Sequence, residues 1–100
     1  MTPAIEFSHA TNRNTQAYLV HFLGTTTLFS YETPVGFIDD KGKRIRRENV
    51  WGPTTGRHLN ESGFSYNGIE QLDEDEFVKR MNEGIAQAIA AHAERMMSPT

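Results

Sequence analysis

The strongest constraint on the fold is a helical pattern that begins at Asp73. Asp73 stands three residues before Glu76, the spacing of a helix N-cap with a capping box. We expect Gly84, which costs about 1 kcal/mol relative to Ala inside a helix, to mark a close packing contact. A helix with one apolar side needs a second layer to cover it, so we predict a helix over 73–97 packed on another element. The residues of its buried side recur at three- and four-residue spacing: Phe77, Met81, Ile85, Ala88, Ile89, His92 and Met96.

The second layer is predicted in the first half of the chain, where β-branched and aromatic residues alternate with polar ones. Short connections, with a hairpin turn at Gly42, favour an antiparallel meander. The last strand carries charge on both faces, which favours an edge position. Residues 1–16 are polar and are expected to be loosely ordered, with room for a short strand around Ile5 and Phe7. The four strands are expected at Ala17–Leu23, Thr25–Tyr31, Val35–Ile38 and Arg44–Val50.

The segment 51–60 joins the two halves of the chain. Gly52-Pro53 ends the sheet, and Trp51 is expected to fill the core beneath the next helix. The hydroxyl of Thr54 or Thr55 is expected to cap that short helix by accepting a hydrogen bond from an amide of its first turn.

We therefore predict one α+β domain over residues 1–100. It starts with the loosely ordered segment 1–16 and continues with a small antiparallel sheet of about four strands at 17–51. A short helix at 54–61 follows, and a long C-terminal helix at 73–97 packs on the sheet.

Composition and motifs narrow the classes of function. The chain has no Cys, which excludes disulfides, thiolate zinc sites and a cysteine nucleophile. Its apolar stretches are far shorter than the roughly 18 residues of a membrane span, and it begins without a signal-peptide pattern. No catalytic or phosphate-binding motif is present. His58 and Glu61 have the spacing of two metal ligands, but a metal needs three or four. We expect no enzyme, cofactor, metal or membrane association.

A net charge of −3 conceals a strong asymmetry. Residues 41–58 carry six basic side chains against Glu48, whereas residues 61–76 carry six acidic side chains and no basic one. Such segregation is typical of a binding surface or of self-complementary association. The candidate binding residues are Lys43, Arg44, Arg46, Arg47, Trp51, Thr54, Thr55, Arg57 and His58.

Several interpretations of these residues stay open. The basic hairpin 41–57 suits nucleic acid, although the acidic segment 61–76 is able to neutralise it. The helix start at 54–58 suits a small anionic ligand or nucleotide, although its Thr hydroxyls also suit simple capping. The sequence is equally compatible with a monomer and with a homodimer formed through a strand edge or through the long helix.

Two segments resemble a family of small bacteriophage proteins. The first is S-Y-E-T-P-V-G-F at Ser30–Phe37 and the second is N-V-W-G-P-T-T-G-R-H-L-N at Asn49–Asn60, where the family carries S-Y-x-T-x-V-A-F and W-S-x-T-T-x-K-H-I-N. This chain departs from that pattern at Gly36, at Gly52-Pro53 and at Arg57. The resemblance covers roughly residues 19–60. It implies a phage origin and a domain of unknown function, without an activity. The matching positions are Ser30, Tyr31, Thr33, Val35, Phe37, Trp51, Thr54, Thr55, His58 and Asn60.

These observations together predict a small non-enzymatic phage accessory protein that binds a host macromolecule in the host cytoplasm. A host protein is the expected partner, with host takeover or inhibition of a host defence as the role. Changing Arg46, Arg47 and Arg57 to Ala is then expected to weaken binding without lowering the melting temperature.

Overall fold

The computed structural model of the protein describes residues 5–9, 17–48, 53–64 and 69–97. These residues include six strands, which form one sheet in the order β1-β2-β3-β4-β5-β6. The predicted α+β architecture is confirmed, but the sheet has six strands rather than about four. The elements are β1 (Ile5–His9), β2 (Ala17–Phe22), β3 (Thr25–Ser30), β4 (Thr33–Ile38), β5 (Arg44–Arg47), α1 (Pro53–Glu61), β6 (Glu70–Leu72) and α2 (Glu74–Met97).

The sheet is antiparallel from β1 to β5, and β6 pairs with β5 in parallel. The prediction that β5 forms an edge is therefore wrong. A chain that leaves β5, forms α1 and returns along the same edge arrives parallel to β5. β6 has only three residues, Glu70–Leu72, and its side chains show no strand-like alternation of polarity. Sequence patterning had no signal with which to predict it.

Tight turns hold the centre of the sheet in register. Leu23 and Gly24, with φ angles of 49° and 85°, connect β2 to β3 as a two-residue hairpin loop. Tyr31 also has a positive φ, 57°, in the turn between β3 and β4. The register of β3 and β4 shifts by one residue at Leu28 and Phe29, which leaves Val35 as the extra residue of a β-bulge.

The two helices cover opposite faces of the sheet. On one face, Leu59 of α1 and the following Phe64 pack with the strand residues Leu28 and Val35. On the other face, α2 packs around Phe37. Successive strand residues point to opposite faces, so one short sheet supplies the floor of two separate apolar clusters. The second cluster consists of Phe37, Ile45, Leu72 and Phe77, with Met81 and Ile85 against it.

The part of α2 up to Ala88 follows the predicted pattern. The backbone N–H of Glu76 donates to Oδ1 of Asp73 at 2.9 Å, which confirms Asp73 as the N-cap. Phe77, Gly84 and Ala88 are buried. A Cβ atom on Gly84 would lie 2.5 Å from the Phe37 ring, so the predicted close contact is confirmed.

The part of α2 after Ala88 departs from the prediction. Ile89 and Met96 are exposed, as is His92 between them. Three- and four-residue spacing identifies one side of a helix, but it contains no information on where the layer beneath that side ends.

Candidate functional site

A buried polar cluster connects β3 to α1. The Oγ atom of Ser30 lies 2.7 Å from Nδ1 of His58 and 3.0 Å from Oγ1 of Thr55. None of the three residues exposes more than 5 % of its surface. A serine hydroxyl donates one hydrogen bond and accepts others, so Ser30 is able to donate to the imidazole while it accepts from Thr55. The cluster thus places three polar side chains inside the protein with mutual hydrogen bonds.

Helical geometry explains why two of these residues meet Ser30 together. Thr55 and His58 are three residues apart and therefore project from the same side of α1. Pro53 is the first residue of α1, a position where its fixed φ and missing N–H cost nothing. The prediction that Thr54 or Thr55 caps the helix is wrong, because α1 begins at Pro53 and both residues lie within it. The hydroxyl of Thr55 contacts Ser30.

Tyr31 extends the cluster to the surface. Its ring centroid lies 5.8 Å from that of His58, with the two planes tilted by 52°. The tyrosine is half exposed and has a left-handed backbone conformation, which is uncommon for a residue with a bulky side chain. The turn after β3 therefore holds Tyr31 as a partial cover over the imidazole.

The chemistry available to this cluster is limited by its burial. The distance of 2.7 Å between a serine oxygen and an imidazole nitrogen is that of a nucleophile and its base. A nucleophile has to reach its substrate, however, and Ser30 is only 3 % exposed. Among the described residues, no group of three or more His, Asp or Glu side chains is arranged to hold a metal ion. The geometry supports a structural junction between the sheet and α1.

Two of the predicted basic residues lie in the interior. Arg46 is fully buried, and its Nη1 donates to the carbonyl oxygen of Phe64 at 2.9 Å while its Nε donates to the carbonyl of Arg47 at 3.1 Å. Arg47 points to the opposite face, where it lies 3.5 Å from a carboxylate oxygen of Glu74. The expectation that both guanidinium groups form an exposed basic surface is wrong. The sequence shows charge on both faces of β5, but not that α1 and α2 cover those faces.

The structure also separates the two halves of the predicted binding surface. Thr55, near the start of α1, contacts Ser30, which pairs with Thr33 at the beginning of β4. Beyond the other end of α1, the Gly63 carbonyl accepts a hydrogen bond from Arg44, which pairs with Ile38 at the end of β4. The start of α1 and the basic hairpin thus lie at opposite ends of a six-residue strand, roughly 17–20 Å apart.

The exposed basic residues of the hairpin lie beside acidic ones. Lys43 lies 4.0 Å from Glu70, which also contacts Arg80 at 3.3 Å. Hydrogen bonding to Glu76, and then the charge of Glu70, raise the pKa of Arg80 above its ordinary value. The acidic segment 61–76 therefore supplies partners for Lys43 and Arg47, as one of the sequence alternatives anticipated. Lys43 and Arg80 also line a cleft of about 150 Å³, together with Phe37, Asp39, Ile45, Glu83, Gly84 and Gln87.

Some candidate positions are not described. Trp51 lies outside the described residues, as do the side chains of Thr54 and Arg57. Residue-by-residue reasoning missed Ser30 and Tyr31 as neighbours of His58, because they lie on a different element. The signal that contained them was the resemblance, whose two segments meet in this cluster.

Comparison with known proteins gives a family and no activity. A protein-family model described as "Family of unknown function (DUF8033)" matches residues 5–79. The match spans all six strands, α1 and the first six residues of α2. No curated protein and no solved structure matches the chain. No helix among the described residues is long and apolar enough to cross a membrane.

Proposed function

The chain belongs to this family of unknown function, and we propose that it is a non-enzymatic protein that binds another protein through one side of α2. The observation that carries this proposal is a row of exposed apolar side chains on that helix. Val78, Ile89 and Met96 are 36 %, 48 % and 74 % exposed. They stand eleven and seven residues apart, close to whole numbers of helical turns, and so share one side of α2.

This row has the form of a helix that docks into an apolar groove. Such recognition depends on anchors spaced at about one or two helical turns. Methionine suits a contact of this kind, because its flexible, polarisable side chain adapts to the shape of a partner. His92, also exposed, lies between Ile89 and Met96 and adds a polar contact to the same side.

The positions of the charges favour a protein over nucleic acid as the partner. Phosphate recognition needs exposed cations, whereas Arg46 and Arg47 are buried and Lys43 lies near Glu70. The hydroxyl of Thr55 lies in the interior against Ser30, which weakens the case for a nucleotide at the start of α1. Nucleic acid and a small anion remain the two alternatives that an experiment has to separate.

The resemblance to bacteriophage proteins supports a more specific proposal for the partner. A small phage protein without an activity of its own acts by occupying a host protein, in this proposal a component of host takeover or host defence in the host cytoplasm. The exposed side of α2 is then the part that contacts this protein.

The test compares affinity capture by the tagged wild type with capture by two double variants, with and without nuclease. Ile89→Lys with Met96→Lys places two charges on the apolar row. Gln87→Lys with Ala90→Lys places the same charges at exposed positions on the other side of α2. We expect the control variant to retain a nuclease-resistant host protein that the first variant loses.

Three outcomes would overturn the proposal or direct it elsewhere. Retention of the same protein by both variants would remove α2 as the contact surface. Recovery of nucleic acid alone, lost on nuclease treatment, would favour the nucleic-acid alternative. Empty captures together with a thermal shift caused by nucleotides would favour the small ligand, since a ligand at 100 times its Kd adds about 2.7 kcal/mol of stability.

A further inference from the structure

The outer edge of the sheet carries a second inference, independent of the proposed function. We propose that two copies of the chain associate through β1 in an antiparallel register centred on Phe7. The two six-stranded sheets then form one continuous sheet of twelve strands. The occupant of the β1 edge is thus a second copy of this chain.

β1 has the properties of an edge that requires a partner. It is the outermost strand, and among the described residues only β2 pairs with it. Phe7 is 71 % exposed and Ile5 is 51 % exposed. Edge strands are commonly protected by Lys, Pro or a bulge. The sequence I-E-F-S-H contains no Lys and no Pro, its one formally charged side chain is Glu6, and its register with β2 is unbroken.

The register of the sheet determines which backbone groups point outward. Phe22 and Thr25 flank the two-residue loop at Leu23-Gly24, so they form a hydrogen-bonded pair of that hairpin. Hydrogen-bonded and non-hydrogen-bonded pairs alternate along antiparallel strands. The backbone groups of His21 and Leu19 therefore point to β1, where they meet Glu6 and Ser8.

It follows that Ile5, Phe7 and His9 direct their backbone N–H and C=O groups away from β2. A two-fold axis through Phe7 pairs all three of them with a second copy. Phe7 of one copy then lies opposite Phe7 of the other, and Ile5 of each copy lies opposite His9 of the other copy. Each of these three pairs exchanges two hydrogen bonds, so the outward-pointing N–H and C=O groups of all three residues have partners.

Charge and the number of paired residues select this register over its two neighbours. Centred on Phe7, each Glu6 lies opposite Ser8 of the second copy. A register centred on Glu6 also pairs outward-pointing backbone groups, but it places the two Glu6 residues opposite each other. They then form a non-hydrogen-bonded pair with Cα atoms only about 4.5 Å apart. Like charges directly opposite each other destabilise a sheet. The register centred on Ser8 avoids this clash but pairs fewer residues of the five-residue strand.

The apolar side chains of β1 also fit this association. Phe7 pairs with Val20, which pairs with Thr27, which pairs with Phe37 beneath α2. Phe7 therefore lies on the same face of the sheet as α2. The two-fold axis runs perpendicular to the sheet, so both α2 helices lie on that one face, with the two Phe7 rings as neighbours between them.

The absence of cysteine makes the register directly measurable. Phe7→Cys places one thiol in each copy, and hydrogen-bonded partners have Cα atoms about 5.5 Å apart, within the range of a disulfide. Ile5→Cys places its two thiols four residues apart along the strands, roughly 14 Å, which a disulfide cannot span. We expect mild oxidation to link Phe7→Cys to itself and to leave Ile5→Cys unlinked. A mixture of Ile5→Cys and His9→Cys is expected to give a mixed dimer.

Light scattering after size exclusion tests the association without a cross-link. The wild type is expected to shift with concentration from 11.3 kDa towards twice that mass, about 22.6 kDa. Phe7→Lys is expected to stay at the mass of the monomer, with the melting temperature of the dissociated wild type. A wild type that stays at 11.3 kDa at millimolar concentration would overturn the proposal, and so would equal cross-linking of Phe7→Cys and Ile5→Cys. These readouts use no partner protein, so their failure leaves the α2 proposal intact.

Discussion

The Oγ atom of Ser30 lies 2.7 Å from Nδ1 of His58, and this contact joins the end of β3 to α1 through the protein interior. The two residues are 28 positions apart in the chain. Each lies in one of the two segments, 30–37 and 49–60, on which the sequence-based family resemblance rests. Their meeting gives those segments a common physical role, which is to hold α1 on its face of the sheet.

Replacing Ser30 tests this junction. Ser30→Ala removes the hydroxyl that serves both His58 and Thr55, and we expect the free energy of unfolding to fall by about 1–3 kcal/mol, because buried polar groups lose their partner. Urea denaturation measures the change. The matched control is Ser8→Ala on β1, whose hydroxyl lies 3.3 Å from Nε2 of His21 at an exposed position, and for this variant we expect a change within about 0.5 kcal/mol. Equal effects of the two variants would show that the buried contact contributes nothing specific.

Gly84 and Phe37 test the contact between α2 and the sheet. Gly84→Ala gains about 1 kcal/mol in helix propensity, but its methyl group would lie 2.5 Å from the Phe37 ring. Overpacking of a core typically costs about 1–3 kcal/mol, so we expect a net loss of stability. In a Phe37→Leu background the same change should become neutral or stabilising, because the ring is gone. A stabilising Gly84→Ala in the wild type would contradict this contact.

Arg46 tests whether the basic residues of β5 serve the core or the surface. Arg46→Ala removes the donor to the Phe64 carbonyl and leaves a cavity, and we expect a loss of roughly 2–4 kcal/mol in thermal or urea unfolding. Arg44→Ala, at an exposed position on the same strand, should cost less than about 1 kcal/mol. The sequence alone led us to expect that an Arg46 variant keeps its melting temperature, whereas the structure leads us to expect a lower one. Equal stability of Arg46→Ala and Arg44→Ala would support the sequence-based expectation instead.

Arg80 tests the ion pairs at the surface of α2. Its pKa is raised by the hydrogen bond with Glu76 and the charge of Glu70, so the charged form is favoured in the folded state. The resulting stabilisation of the folded state is present at every pH below the ordinary pKa of arginine. It disappears only as the pH rises through the higher pKa that Arg80 has in the folded protein. We therefore expect Arg80→Gln to lower the melting temperature at neutral pH without adding a pH dependence there.

Salt separates this effect from a loss of packing. The difference between Arg80→Gln and the wild type should shrink as NaCl approaches about 1 M, where the screening length is about 3 Å. Arg95→Gln, in the last turn of α2 and without a carboxylate partner among the described contacts, is the control and should show a smaller difference. A difference in melting temperature that does not change with salt would show that Arg80 stabilises the protein through the packing of its methylene groups.

Local sequence patterns determined much of the architecture. Alternation and turn residues located the central strands, and Asp73 with the apolar spacing after it located α2 and its cap. These features depend on neighbours within a few residues, so the sequence displays them directly. The resemblance likewise located the two segments of the buried cluster, without indicating that they touch.

Long-range pairing decided the rest. A three-residue strand such as β6 forms only because the return from α1 brings it beside β5, and its side chains carry no periodic signal. The same pairing converts β5 from an expected edge into an interior strand and buries Arg46 and Arg47 on opposite faces. The contact of Ser30 with His58 and the exposure of Ile89 and Met96 have the same origin. Each depends on where another layer lies in space, a property set by the packing of the whole chain and not by the residues beside it.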